Sequence, residues 1–124
     1  MFESVLCLAL NIYHEARDQT VDGQLMVAEV TLNRVASKLF PNEVCEVVWQ
    51  PGAFSWTTDG LSDEPKDTQA FAQAVLIAYQ AVQYPDSLLG TDATHYHEKS
   101  IHPYWADTLV QIGRLDDHIF YTEN

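Results

Sequence analysis

Glu15 is the first side chain in this sequence that could do chemistry. It follows Leu8 by seven residues and Ile12 by three, so helical spacing sets it on an apolar face near a helix end. Desolvation and the negative end of the helix dipole both disfavour the anion there, which predicts a raised pKa. A carboxylic acid kept protonated near neutral pH is what general-acid catalysis at a glycosidic oxygen requires. The alternative is a structural salt bridge to Arg17 or Arg34.

Histidines form the second candidate set: His14, His95, His97, His102 and His118. His14-Glu15 matches the start of a zinc-protease helix, but that motif needs a second His at position 18, which is Asp18. His95 and His97, two apart, would share one face of a strand and could both ligate a metal with a third residue. The other reading makes them one edge of a polar groove. A two-carboxylate glycosidase would need a partner for Glu15. Glu29, Asp59, Asp63 and Glu98 are available, and spacing selects none of them. Glu29 falls between Leu25 and Leu32 on an apolar stripe, so it is expected to pair with an arginine or lie near the site. No Gly-x-Ser-x-Gly elbow, phosphate loop or dinucleotide fingerprint occurs.

The elements that must position these residues come from a 124-residue chain, one domain in size. Hydrophobic residues make up 47% and charged residues 19%, which excludes a disordered polyelectrolyte. Eighteen acidic side chains against six basic ones give a net charge of −12. Phosphate binding needs clustered cations, so nucleic acid is excluded as a partner. No apolar run is long enough for membrane insertion. Cys7 and Cys45 lie in apolar helical patterns without CxxC spacing, and are expected to be buried free thiols.

Periodicity predicts a central helix over 2–16, apolar almost all round. A second helix over 22–39 carries the stripe Leu25, Ala28, Leu32, Val35, Ala36 and Leu39, with Gln24, Thr31, Arg34 and Lys38 off it. Thr20 or Asp22 caps it. A short helix over 43–49 ends at Gln50-Pro51-Gly52. Residues 50–66 form an irregular loop in which Phe54 and Trp56 sit among turn residues, as in binding loops. Asp67 caps a helix over 68–83. A strand over 93–98 and a hairpin of 108–113 with 117–122 complete an α+β, mainly helical domain with a small antiparallel sheet toward the C-terminus.

The strings Asn11-Ile-Tyr-His-Glu-Ala-Arg17, Gly23-Gln-Leu-Met-Val-Ala-Glu-Val, Leu32-Asn-Arg-Val, Gln50-Pro-Gly-Ala-Phe-Ser-Trp56, Ala93-Thr-His-Tyr-His and Pro103-Tyr-Trp105 resemble those of the SleB-type cell wall hydrolases. The likeness runs from about residue 7 to 121. It implies a lysozyme-like single domain over 1–124 that cleaves peptidoglycan glycan strands between N-acetylmuramic acid and N-acetylglucosamine by lytic transglycosylation. The Glu-Ala-Arg motif then makes Glu15 the single catalytic acid and base. Gln50, Phe54, Ser55 and Trp56 are expected on one wall of a sugar-binding groove, with Tyr96 and His97 on the other, because sugars offer apolar C–H faces to aromatic rings.

Neither a cofactor nor a metal is expected, and the domain is expected to be a monomer. Glu3 stands where a signal peptide would be basic. A stand-alone catalytic domain of this kind is what a phage-encoded lysin or virion protein would look like. The competing readings are a metal-dependent peptidoglycan amidase and an inactive wall-binding protein of the same fold. The chain departs from the family pattern at Asp18 and Gln19, where the family has Gly and then Glu, so a different turn is expected after Glu15. Its acidity also gives no long-range attraction to an anionic wall.

Overall fold

The structure is a computed structural model and describes residues 2–123. Helix α1 (Phe2–Ala16) runs through the middle of the helical core. Leu8, Ala9, Ile12 and Ala16 are fully enclosed there. Helices α2 (Val21–Ala36), α3 (Val44–Val48) and α4 (Thr68–Gln83) pack around it. Full burial of each Leu or Ile side chain stabilises the fold by about 1.5–3 kcal/mol. Both capping expectations fit the structure. Thr20 accepts from the Gly23 amide and Asp67 from the Ala70 amide.

Helix α2 differs from its expected single stripe. Gln24, Thr31 and Arg34 are buried as well, because a second face, Met26 and Val30, packs with Ala93 and Phe120 of the sheet region. It thus stands between helices and sheet. It also ends at Ala36: Ser37 turns extended and Leu39 is 72% exposed. Periodicity carried the expected helix through Leu39, but nothing packs there to hold a further turn.

The sheet has the order β1 (His95–Glu98), β3 (His118–Thr122), β2 (Val110–Leu115), all antiparallel. Tyr96 pairs with Phe120, and β2 carries a bulge between Gln111 and Gly113. The hairpin turn is tied to the α1–α2 junction. Asp116, at φ 53°, accepts from the Thr20 amide (3.0 Å) and hydroxyl (2.6 Å). A Cβ at position 23 would lie 2.4 Å from an Asp116 carboxylate oxygen, so this contact requires Gly23. Gln19 completes the tie, donating to Asp117 and accepting from the Asp117 amide. No positive φ occurs at Asp18, so the turn needs no glycine there.

Two further expectations are corrected. Cys7 and Cys45 form a disulfide between α1 and α3, with their Cα atoms 5.3 Å apart. Spacing within one helix could not show this, because the two thiols meet only when the helices pack. Among the described residues Glu29 pairs with no arginine, and it lies away from Glu15, against residues 90–91. It is 3% exposed and accepts from the amides of Gly90 (3.0 Å) and Thr91 (2.8 Å) and from the Thr91 hydroxyl. The φ of +78° at Gly90 lets the backbone offer both amides to one carboxylate. Among the described residues, no helix is long and apolar enough to cross a membrane.

Candidate active site

Glu15 is the penultimate residue of α1, and two hollows meet at its side chain. The first, about 280 Å³, is an aromatic arm lined by Phe40, Phe54, His95, Tyr96, Tyr104 and Trp105, together with Arg34 and residues 50–53. The second, about 440 Å³, is a charged arm lined by His14, Arg17, Asp18, Gln19, Glu98, Asp117 and His118. Glu15 belongs to both.

The Tyr96 hydroxyl donates to Glu15 Oε1 at 2.6 Å. The carboxyl has no other hydrogen bond among the described residues, which leaves Oε2 for a ligand. Burial raises the Glu15 pKa, and the Tyr96 hydrogen bond, His14 and Arg34 oppose it without reversing the direction. The alternative reading, a salt bridge to Arg17 or Arg34, is absent among the described residues. Arg17 donates to the Tyr13 carbonyl and lies over the Tyr13 ring. Arg34 donates through Nε to the Thr94 carbonyl, and neither cation comes within 4 Å of a carboxylate among the described residues.

Tyr96 is held where strand pairing and core packing intersect. Its ring meets Phe54, His118 and Phe120 at centroid distances of 6.4, 5.0 and 5.6 Å. Burial, followed by the neighbouring Glu15 carboxyl, pushes its phenol well above the ordinary range, so it remains a donor. Burial also lowers the pKa values of His95 and His118 on the two sides of Glu15. For His118 this holds despite Asp117, Asp18, Glu98 and Asp116 nearby.

Of the residues expected to form the groove, Gln50, Phe54 and Tyr96 line the aromatic arm with Glu15. Ser55, Trp56 and His97 do not. Ser55 is exposed at the start of a 3-10 turn outside the lining. The Trp56 indole is 6% exposed, donates to Asn11 Oδ1 at 2.8 Å and stacks on His14 at 4.5 Å. It fastens the 50–66 loop to α1 from inside the core. His97 is buried, with Nδ1 on the Glu98 carbonyl and Nε2 on the Tyr121 hydroxyl. Alternation along β1 sends it to the face opposite Tyr96.

His95 and His97 are therefore engaged separately, His95 by the Thr94 hydroxyl. Among the described residues, no three His, Cys, Asp or Glu side chains are grouped to hold a metal. Sequence reasoning missed Arg34, Phe40, Tyr104 and Trp105 as lining, whereas its reading of His95 as an edge of a polar groove fits the structure. Of those missed, only the pair Tyr104-Trp105 carried a local signal, two large aromatics in a loop after Pro103.

Comparison with known proteins places this geometry among relatives. The family model described as Cell Wall Hydrolase matches residues 18–121, beginning just after Glu15. The chain is 35% identical over 121 residues to the spore cortex-lytic enzyme of Bacillus subtilis (strain 168), covering 91% of this chain and 35% of that protein. It is 36% identical over 118 residues to the spore cortex-lytic enzyme of Halalkalibacterium halodurans, covering 91% and 33%. The chain thus spans about a third of the length of these curated relatives.

Among solved structures, it superposes on the catalytic domain of the germination-specific lytic transglycosylase SleB from Bacillus anthracis with a TM-score of 0.82. That match has 28% identity and covers 98% of this chain and 96% of that one. The catalytic domain of the Bacillus cereus SleB protein gives a TM-score of 0.79 at 29% identity, with coverages of 98% and 91%.

Proposed function

This chain belongs to the cell wall hydrolase family, and we propose that it cleaves peptidoglycan glycan strands between N-acetylmuramic acid and N-acetylglucosamine by lytic transglycosylation. Glu15 is the acid and then the base. In the first step its protonated carboxyl donates to the glycosidic oxygen, and the C1–O bond breaks with its electron pair going to that oxygen. The sugar becomes oxocarbenium-like. In the second step the carboxylate takes the proton of the same sugar's 6-hydroxyl while O6 bonds to C1. A 1,6-anhydro ring closes, Glu15 is protonated again and no water is consumed.

The observation that carries this reading is the isolation of Glu15. It is the one carboxyl lining the aromatic arm among the described residues, it is buried enough to favour the proton, and Tyr96 fixes its orientation. The carboxylates of the charged arm are committed elsewhere. Glu98 accepts from Ser100, Asp117 pairs with Lys99 and Gln19, and Asp18 accepts from Gln19. A two-carboxylate hydrolase needs a second group free to activate water or attack the sugar. Tyr104 and Trp105 supply ring faces for sugar C–H surfaces, and Gln50 supplies a polar side chain. The disulfide suits action outside the reducing cytosol.

Mass spectrometry of muropeptides released from purified walls tests the proposal. The expected products end in a 1,6-anhydro sugar, lighter by one water than products of hydrolysis. Reducing-end products alone would replace transglycosylation with muramidase action, and no release at all would remove the enzyme reading.

A further inference from the structure

Arg34 is an enclosed cation with most of its donors unspent. It is 7% exposed, yet it lines the aromatic arm beside Glu15. Its guanidinium carbon lies 4.8 Å from the Phe40 ring centre and 5.2 Å from that of Phe54. Of its five N–H donors, one has a partner among the described residues: Nε on the Thr94 carbonyl. Both ion pairs among the described residues lie elsewhere, at Lys99–Asp117 and His102–Asp107. Neither terminal nitrogen is a sealed polar atom without a partner, and the side chain lines the hollow.

An arginine stays charged even when burial opposes it, and an enclosed unpaired charge destabilises the fold unless something answers it. This chain has eighteen carboxylates, yet none of the described ones comes within 4 Å of Arg34. A planar fork of free donors beside the reacting carboxyl fits a ligand carboxylate or carbonyl best.

On a peptidoglycan glycan strand, the only group derived from a carboxylic acid on the sugar ring's ether substituents is the 3-O-lactyl group of the muramyl residue. It is a carboxylate when unsubstituted and an amide carbonyl when it carries a stem peptide. We infer that Arg34 binds the lactyl oxygen of a muramyl residue seated in the aromatic arm, and so sets the preference for muramyl over plain N-acetylglucosamine chains. This rests on the glycan-cleaving reading above.

Calorimetry with the full chain carrying Glu15→Gln tests it, because cleavage is then removed from the measurement. The probes are a peptide-free tetrasaccharide of alternating N-acetylglucosamine and N-acetylmuramic acid, the same sugar bearing stem peptides, and chitotetraose. Both muramyl probes should bind at least about 10-fold more tightly than chitotetraose, the scale of a hydrogen bond to a charged group. The peptide-free sugar should lead, since it offers the anion.

Adding Arg34→Gln should bring all three within about 2-fold and leave chitotetraose unchanged. Arg34→Lys keeps the charge without the fork, and should lose the preference for the amide form while keeping part of that for the carboxylate. It carries the test if the Gln variant does not fold. Preference retained in the folded variants overturns the inference, as does an equal loss for all three sugars. In the protein with Glu15 intact, a uniform fall in turnover of the Arg34 variants with a displaced pH profile would also overturn it, since Arg34 would then act through Glu15. If muropeptides are released but no muramyl preference exists, this inference fails and the catalytic reading stands. If none are released, the catalytic reading itself fails.

Discussion

The two arms that meet at Glu15 are built on opposite plans. The aromatic arm gathers its lining from α2, the loop after α3, β1 and the 3-10 turn at Tyr104–Asp107, and its exposed groups are rings and unspent donors. The charged arm is built from the end of α1, β1 and the β2–β3 turn, and its charged groups already bond neighbouring groups: Asp18 and Asp117 to Gln19, Asp117 to Lys99, Glu98 to Ser100 and Arg17 to the Tyr13 carbonyl. Gln19 and Lys99 hold Asp117 below the usual carboxylate range, and Ser100 does the same for Glu98. One arm keeps its binding capacity for a ligand and the other spends it on positioning the end of α1. A site can therefore be polar without being the part that recognises substrate.

Glu15 belongs to both arms, so its loss should have the largest effect. Glu15→Gln is expected to keep the fold and to lower muropeptide release by about 100- to 10,000-fold, the span of general acid–base catalysis. Near-native release from the folded variant would dissolve the division of labour altogether.

The disulfide ranks next, because it fixes α3, which leads into the wall of the aromatic arm at Gln50–Phe54, against α1. Closing a loop across 38 positions constrains the unfolded chain by about 4 kcal/mol in the entropic account. Replacing Cys7 and Cys45 together by Ser should lower the denaturation midpoint accordingly, while turnover at 25 °C stays close to native. Unchanged stability would mean that the two sulfurs do not bond in solution.

Smaller effects separate the arms directly. Tyr104 is 89% exposed, so Tyr104→Ala should weaken glycan binding about 5-fold, the scale of one ring contact, with an unchanged melting curve. Asp18→Asn in the charged arm should alter binding by no more than about 2-fold, since Asp18 is exposed and its one hydrogen-bond partner is the neighbouring Gln19. The reverse ranking in a binding titration would exchange the roles assigned to the two arms.

What the sequence showed of this arrangement follows the range of the interactions. Helices α1 and α4 were legible to within a residue because their apolar periodicity and the Asp67 cap are local. Glu15 was legible because one helix face is enough to make a carboxyl suspect. Gln50, Phe54 and Tyr96 lay in segments whose residue types suit sugar binding. Trp56 and His97 suited it equally by type, but packing on Asn11 holds Trp56 inward, and strand alternation turns His97 away from Tyr96 and onto Tyr121. In the sequence Arg34 falls off the apolar stripe of α2, and its burial was not legible because periodicity within one helix cannot see the sheet that covers its second face. The disulfide and the Glu29 bridge to residues 90–91 likewise join segments that only the folded chain brings together.

The state of Glu15 governs the rest. A raised pKa means that the folded protein binds the proton more tightly than the unfolded chain. Its contribution to stability is then fully present below the unfolded pKa and is lost as pH rises through the folded one. Activity should decline over that same alkaline limb, since the first step needs the acid. Tyr96→Phe removes a bond to the carboxylate, so it should move the limb to higher pH.

Carbon-13 NMR titration of the Glu15 carboxyl in the native protein tests the account most directly. The account predicts a pKa above that of a free glutamate, rising further in Tyr96→Phe. A value at or below the free glutamate would contradict it, because Glu15 would then reach the substrate as an anion with no proton to give.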